Sequence, residues 1–321
     1  MNNKKLLVSY PSHLHNGNSV SSKNVNIILA TLPALLVGLI AYGIPAIRVV
    51  ALSVGCAMLA ELLMNLATKR EITIGDGSAA LSGLLFGMLL PASAPWWLVM
   101  VGAFIAIIIG KQIFGGIGGN PLNPTLIGFA IVTISWKSFL DYDAALLNYD
   151  LGFLMAYPLA ALKNFGVSTT ANYNLTGLLL GKQSGGIGAA CGLGLLIGGA
   201  YLILRGFIRW EISLSFLGGV FITAFLFNIS NPENYASPIF HLLTGNILIG
   251  AFFLATDDTP SPVNFLPMLI FGSGCGIMTI LIRNLGSYYD GVVFAILLMN
   301  LINPLLDKIR PKAFGKVVEN A

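Results

Sequence analysis

The chain has 321 residues, of which 56% are hydrophobic and only 9% charged. Soluble domains carry roughly 25% charged residues, so this composition excludes a soluble globular protein and identifies a polytopic membrane protein. The net charge of +4 does not indicate nucleic-acid affinity, because most of the basic excess lies in short flanks of apolar runs, where it sets topology. Cys56, Cys191 and Cys275 lie far apart in apolar runs, and His13, His15 and His241 share no ligand spacing, so no metal site is expected.

Residues 1–24 are polar and lack the basic start, short apolar core and small-residue exit of a cleavable signal. The first apolar run is therefore expected to stay as an anchor. Ten spans follow from apolar runs of roughly 17 to 25 residues: 25–44, 48–67, 74–91, 96–114, 121–136, 186–206, 211–229, 237–255, 262–282 and 288–307. The third and fifth are short and interrupted by glycine or proline, which marks a broken or re-entrant helix. Residues 137–185 form the one long non-apolar stretch, and 308–321 a basic tail. With the N-terminus in the cytoplasm, 12 of the 17 lysines and arginines fall on inner flanks, leaving Arg48, Lys137, Lys163, Lys182 and Arg283 outside. Both termini are then expected to be cytoplasmic, with the 137–185 linker facing outward.

The halves 25–136 and 186–307 share strings. Leu81-Ser82-Gly83 opens a run ending LLPASAPWW, and Leu243-Thr244-Gly245 opens one ending FLATDDTPSP; GFAIVTI from Gly128 recurs as VFAILLM from Val293. Five spans per half place the second copy upside down, and inverted repeats put a site near the midplane, at their broken helices. The expected fold is an all-α integral membrane protein of about ten transmembrane helices, built as two inverted five-helix repeats with broken helices.

The densest break is FGGIGGNPLNPTLIGF, Phe114–Phe129, where glycines and prolines disfavour a regular helix between Gly115 and Pro124. Gly118, Gly119, Asn120 and Asn123 are candidate contacts to a partner helix or a flat cofactor; an asparagine-capped loop is the alternative. Charges in or beside spans are costly and therefore informative. Glu61 lies inside the second span, Asp76 opens the third, Asp257 and Asp258 end the eighth, and Asp290 opens the tenth. They read as an ion or proton path, or as polar contacts to a ligand. For Asp76 and Asp290 the alternative is a helix N-cap, for Asp257 and Asp258 solvation at the interface. Lys111 and Arg283, at the ends of corresponding spans, read as snorkelling cations. No GxSxG, HExxH or Walker motif is present, so any chemistry must come from a bound cofactor or a partner subunit.

Together DGSAALSGLLFGMLLP (from Asp76), FGGIGGNPLNP, FFLATDDTPSP (from Phe252), LIRNLGSYYDGVVFAILLMNLINPLLD (from Leu281) and the early SYPSHLH resemble the RnfD/NqrB family. These are the D subunits of Rnf complexes and the similar B subunits of Na⁺-translocating NADH:quinone oxidoreductases. The resemblance implies a membrane subunit that passes electrons between ferredoxin and NAD, coupled to Na⁺ or H⁺ translocation, in a bacterial or archaeal cytoplasmic (inner) membrane. It is a component of an oxidoreductase rather than a complete enzyme. It further implies a covalent FMN on a threonine in a motif like S-x-A-T-P-L on the outer side, riboflavin as a second cofactor among the spans, and partners that include a flavin-bearing G-type and an iron–sulfur C-type subunit.

The sequence departs from that pattern at its polar positions. In LMAYPLAALK, Leu154–Lys163, Tyr157 stands where the flavin-bearing threonine is expected, and GGIGAAC from Gly185 lacks the acidic and hydroxyl residues of G-x-I-G-E-T-S. Thr169 and Thr170 are the nearby substitute hydroxyls. Tyr157 reads as a stacking partner for a non-covalent flavin or as an interfacial aromatic anchor. Two functions follow: an electron-carrying subunit, or a non-redox transporter, channel-like or structural protein on the same frame.

Overall fold

The computed structural model describes residues 19–140, 142 and 156–309. SYPSHLH with His13 and His15, Leu154, Met155 and most of the basic tail lie outside them. The described residues form helices and turns without a strand, and each of the ten expected spans has a helical counterpart.

Helix α1 (Val20–Tyr42) begins at Ser19, whose Oγ accepts from the Ser22 N–H. It ends at Gly43 with φ of 64°, a backbone that L side chains rarely adopt. Pro45 in the first turn of α2 (Ile44–Ala67) removes an N–H that would have no partner there. Then come α3 (Ser78–Leu89), α4 (Trp96–Ile107) continued by a π-turn at Ile108–Gln112, and α5 (Pro124–Ser135). The linker carries α6 (Pro158–Phe165), a 3₁₀ turn (Val167–Asn172) and α7 (Leu175–Leu179). The second half holds α8 (Gly192–Leu204), α9 (Trp210–Ser230), α10 (Pro238–Leu243), α11 (Ile247–Ile249) running into a π-turn at Gly250–Leu254, α12 (Phe265–Leu285) and α13 (Val292–Leu306).

Four of these, α1, α2, α9 and α12, are long and apolar enough to cross a membrane alone. Helix α3 has 12 residues and covers roughly 18 Å, short of the ~30 Å hydrocarbon layer. The eighth span, expected to be continuous, is broken as well: α10 stops and Gly245 turns the chain at φ of 70° before α11. A broken helix inside a membrane leaves carbonyls that protein must satisfy. At the end of α3 the GGIGAAC loop does this, the Ile187 N–H donating to Leu90 O at 3.0 Å and the Gly188 N–H to Met88 O at 3.0 Å. A Cβ on Gly186 would stand 2.6 Å from Met88 O, so that loop can approach only as glycine.

The order of packing repeats along the chain. Helix α2 packs on α4 and α4 on α5; α9 packs on α12 and α12 on α13; α1 lies against α8. Small residues set these contacts, as is usual where lipid rather than water surrounds the bundle: a Cβ on Gly198 would meet Ala30 O at 2.0 Å, and one on Gly276 would meet Phe216 O at 2.4 Å.

Candidate functional site

Glu61, 0% exposed near the end of α2, is held by residues far away in sequence. Its Oε1 accepts from Lys111 Nζ at 2.6 Å, Thr73 Oγ1 at 3.0 Å and Gln112 Nε2 at 3.2 Å. Lys111 is only 3% exposed and also donates to Ser78 Oγ. It is therefore an intramembrane ion-pair partner and not the snorkelling cation expected, because Glu61 leaves it no reason to reach for the interface. The π-turn brings Lys111 and Gln112 onto one carboxylate. Glu61 Oε2 is buried without a hydrogen-bond partner among the described residues, so the carboxylate is loaded on one oxygen only. The N-cap of α3 is Gly77 and not the expected Asp76, which lies one residue earlier; its Oδ1 still accepts from the first helical N–H, that of Ser78, at 2.7 Å and from Ser78 Oγ at 2.6 Å.

Lys111 and Ser78 reach the floor of a cavity of about 180 Å³ between the two halves. The cavity is also lined by Lys23, Asn120, Asn123, Thr125, Phe252, Phe253, Asp257 and Asp258, so it joins the two strings FGGIGGNPLNP and FFLATDD. Asn123 caps α5 through the Leu126 N–H at 3.3 Å and donates across the halves to Leu254 O at 3.2 Å. Asn120 donates to Leu122 O at 3.1 Å. Gly118, with φ of 90°, and Gly119 form the exposed tip of the turn and do not line the cavity. At the mouth, Lys23 of α1 pairs with Asp258, which lies in the loop after the eighth span. Burial, then the neighbouring Asp258, push the Asp257 carboxyl up to about 6, against Lys23 and a backbone N–H.

A carboxyl raised in the folded state stabilises the fold below its ordinary value near 3.8 and loses that contribution as pH rises through about 6. The thermal midpoint of the detergent-solubilised protein should thus fall across this window, and Asp257→Asn should flatten the slope. An unchanged slope in the variant would remove Asp257 as its source.

Tyr157, 3% exposed at the start of α6, stands in the wall of a second and larger cavity, about 550 Å³. Phe129, Tyr142, Tyr289 and Phe294 supply further aromatic walls, and Lys137, Asn164, Asn246 and Asp290 the polar groups. The Tyr142 and Tyr157 rings lie 4.9 Å apart, tilted by 31°. The Lys137 ammonium sits 5.7 Å from both the Tyr288 and the Tyr289 ring centroids, and no carboxylate among the described residues pairs with it. Aromatic rings and one cation therefore border the same cavity. Thr169 and Thr170 are outside its lining; their hydroxyls donate to Gly166 O at 2.8 Å and Val167 O at 2.7 Å. Thr133 and Ser138 are the hydroxyls that do line it, and Thr133 Oγ1 donates to Phe129 O at 2.7 Å.

Arg283 is buried like Lys111 and equally far from snorkelling. Its Nη2 lies 2.9 Å from Asp290 Oδ1, and its guanidinium also donates to His241 O and Thr244 O, both at 3.0 Å. Asp290 Oδ2 accepts from Asn246 N–H at 2.7 Å, and Oδ1 from Val292 N–H at 3.3 Å. The N-cap of the last helix is Gly291 and not the expected Asp290; Asp290, one residue earlier, instead ties the broken eighth span to α12. Each half of the chain buries one cation of its fourth span against a carboxylate. The sequence held a sign of this, since opposite charges placed in apolar runs on one side of a membrane need each other. Lys137 and Asn164 offered no such sign, since linker residues gain their meaning only from what faces them.

A family model described as the NQR2, RnfD, RnfE family matches residues 7–315. The D subunit of the Na(+)-translocating ferredoxin:NAD(+) oxidoreductase complex of Acetobacterium woodii is 37% identical over 310 residues, 96% of this chain and 94% of the relative. The D subunit of the proton-translocating ferredoxin:NAD(+) oxidoreductase complex of Clostridium ljungdahlii is 36% identical over 318 residues, 96% of each. That of an ion-translocating oxidoreductase complex of Cronobacter sakazakii is 33% identical over 339 residues, 94% of this chain and 97% of the relative. The chain belongs to the NQR2, RnfD, RnfE family.

Proposed function

From this membership we propose that the chain is the D subunit of an Rnf-type membrane complex that moves electrons between ferredoxin and NAD and couples the transfer to ion translocation. The observation that carries the reading is likeness over nearly the whole length to D subunits of such complexes. In this reading electrons reach it from neighbouring subunits, a flavin-bearing G-type and an iron–sulfur C-type chain among them. It sits in the cytoplasmic membrane with both termini inside and the 137–185 linker outside, its halves 25–136 and 186–307 inverted.

In this proposal a flavin, FMN or riboflavin, is held without a covalent bond in the 550 Å³ aromatic cavity. The fit rests on flat aromatic walls, on Lys137 and on Asn164. Tyr157 packs against the ring in place of an attachment threonine. The flavin would supply one- and two-electron chemistry; the protein's part is to stack the ring, exclude water and balance charge. Glu61 and Lys111, below the inner cavity with Asp76, Asn120, Asn123 and Asp257, form the polar route into the membrane, where the unpartnered Glu61 Oε2 is the oxygen available to a cation or proton. The relatives' names divide between sodium and protons, so the ion is a matter for flux measurement.

Intact-protein mass spectrometry with in-gel flavin fluorescence tests this. The expected result is an unmodified mass with extractable FMN or riboflavin, and at least a tenfold loss of flavin retention in Tyr157→Leu, about 1.4 kcal/mol of lost stacking. A mass gain of FMN mapped to Tyr157, Thr169 or Thr170 would overturn the non-covalent reading. Protein that carries no flavin in any form would shift the balance to transport without redox chemistry.

A further inference from the structure

The inner cavity has a floor and a rim that differ in exposure. Lys111, Asn123, Thr125 and Phe252 line it and are buried, whereas Val20, Ile117 and Asp258 line it and are exposed. A side chain that borders an internal space and also reaches the outside stands at the mouth. Ile117 is 49% exposed, and it is the one residue of Gly115–Gly119 that lines the cavity.

Ile117 is set between two glycine pairs, Gly115-Gly116 and Gly118-Gly119. Gly115, Gly116 and Gly118 hold φ of 105°, 100° and 90°, and a Cβ on any of them would meet nothing within 4 Å. These three are therefore not kept for close packing; they supply backbone freedom on both sides of one apolar side chain. The turn is fastened mainly at its ends. At its start the Gly115 N–H donates to Gln112 O at 3.1 Å and the Gly116 N–H to Lys111 O at 3.2 Å. At its end Asn120 is buried and donates to Leu122 O. Between them one bond closes the tip, from the Gly119 N–H to Gly116 O at 3.4 Å. Few backbone bonds and little buried apolar surface mark a segment of low local stability. Elsewhere on the rim, the Lys23–Asp258 pair joins the first half of the chain to the second, and the Asp258 side chain is 72% exposed. An exposed pair of this kind holds weakly and is screened by salt, which suits a latch better than a strut.

We propose that the turn Gly115–Asn120 is a gate over the inner cavity: Ile117 is its plug, the glycine pairs are its hinges, and the Lys23–Asp258 pair is a latch at the mouth. Because the turn hangs from Lys111 and Gln112, opening it pulls on the backbone that aims both side chains at Glu61. Passage through the mouth and the charge pair beneath it are thereby coupled mechanically. The use of the gate rests on the polar route proposed above, but its test needs no ion and no flavin, so either reading can fail without the other.

The test places a thiol inside the cavity. Ser82 lines it, and Ser82→Cys in the detergent-purified full chain is treated with neutral methyl methanethiosulfonate and followed by intact-protein mass spectrometry. The parent chain, whose Cys56, Cys191 and Cys275 are buried, gives the background. Adding Ile117→Ala to Ser82→Cys should raise the labelling rate about tenfold, for the loss of half-buried apolar surface, and adding Ile117→Trp should lower it. Lys23→Gln should raise it by up to about fivefold, the weight of one exposed ion pair. Salt at about 1 M should do the same with Lys23 present and nothing once it is replaced, since the reagent carries no charge. Ile117 is half exposed, so both of its variants should fold, and two changes of opposite sign separate a plug from general loosening. A rate that neither variant moves, whether fast or too slow to measure, overturns the gate. Effects of Ile117 without any effect of Lys23 or salt overturn the latch.

Discussion

Glu61→Gln should both destabilise the protein and stop ion movement through the assembled complex. The substitution keeps size and leaves Lys111 buried at 3% exposure without its counter-charge. Breaking a buried pair by removing one member costs about 3–5 kcal/mol, because the surviving charge remains desolvated. Thr73 and Gln112 cannot replace the lost charge; both are donors to the same oxygen, and glutamine would face them with an amide that also donates. The informative comparison is Glu61→Leu with Lys111→Met, which removes both charges. That double variant should recover most of the thermal stability, since apolar replacement of a whole buried pair is often neutral or better. It should not recover transport. Thermal midpoints of the purified chain and sodium- or proton-flux assays on vesicles holding the whole complex separate the two effects. If Glu61→Gln moves ions at the parental rate, the pair is architecture alone.

Gly276→Val should abolish accumulation of folded protein. Helices α9 and α12 touch through backbone: a Cβ at Gly276 would lie 2.4 Å from Phe216 O and 2.6 Å from Val220 N, and one at Gly219 would lie 2.6 Å from Ser273 O. No flexible side chain end can give way there, so the helices must separate. Overpacking usually costs about 1–3 kcal/mol, and separation also forfeits the dispersion attraction along the whole seam. In a bilayer, where lipid tails compete on equal terms, that seam is much of what holds the pair together. Gly218→Val is the control, since a Cβ there has nothing within 4 Å. Detergent extracts run on fluorescence-detected size exclusion should show a monodisperse peak for Gly218→Val and little for Gly276→Val. Equal peaks would show that the seam can open at small cost.

The architecture was legible because it depends on composition over long windows. Runs such as Ile44–Ala67 and Trp210–Ser230 are apolar from end to end, and the glycines and prolines of Gly115–Pro124 announced their own irregularity. The eighth span's break was hidden, because in HLLTGNILIGAFFL a single glycine, Gly245, turns the chain inside an otherwise continuous apolar run. What the sequence could not show were pairings across 50 residues or more. Glu61 stood out as a charge in the wrong place, yet its answer, Lys111, looked like an ordinary flanking lysine. In the linker, Tyr157 was recognisable by the residue it replaces. Lys137 and Asn164 carried no pattern of their own, and the cavity they line appears only in the folded chain.

The π-turn at Ile108–Gln112 makes the buried charge pair a matter of register. It is an α-turn widened by one residue, and the insertion aims Lys111 and Gln112 together at Glu61. Deleting Ile109 would restore an ordinary helix and swing every later side chain of that turn by about 100° around the axis. Lys111 would then face a neighbouring surface with its ammonium intact and its partner unchanged. The ion pair can thus be switched off by the length of the chain alone, with no charged residue altered, and a shortened backbone would separate what the charges do from where they stand.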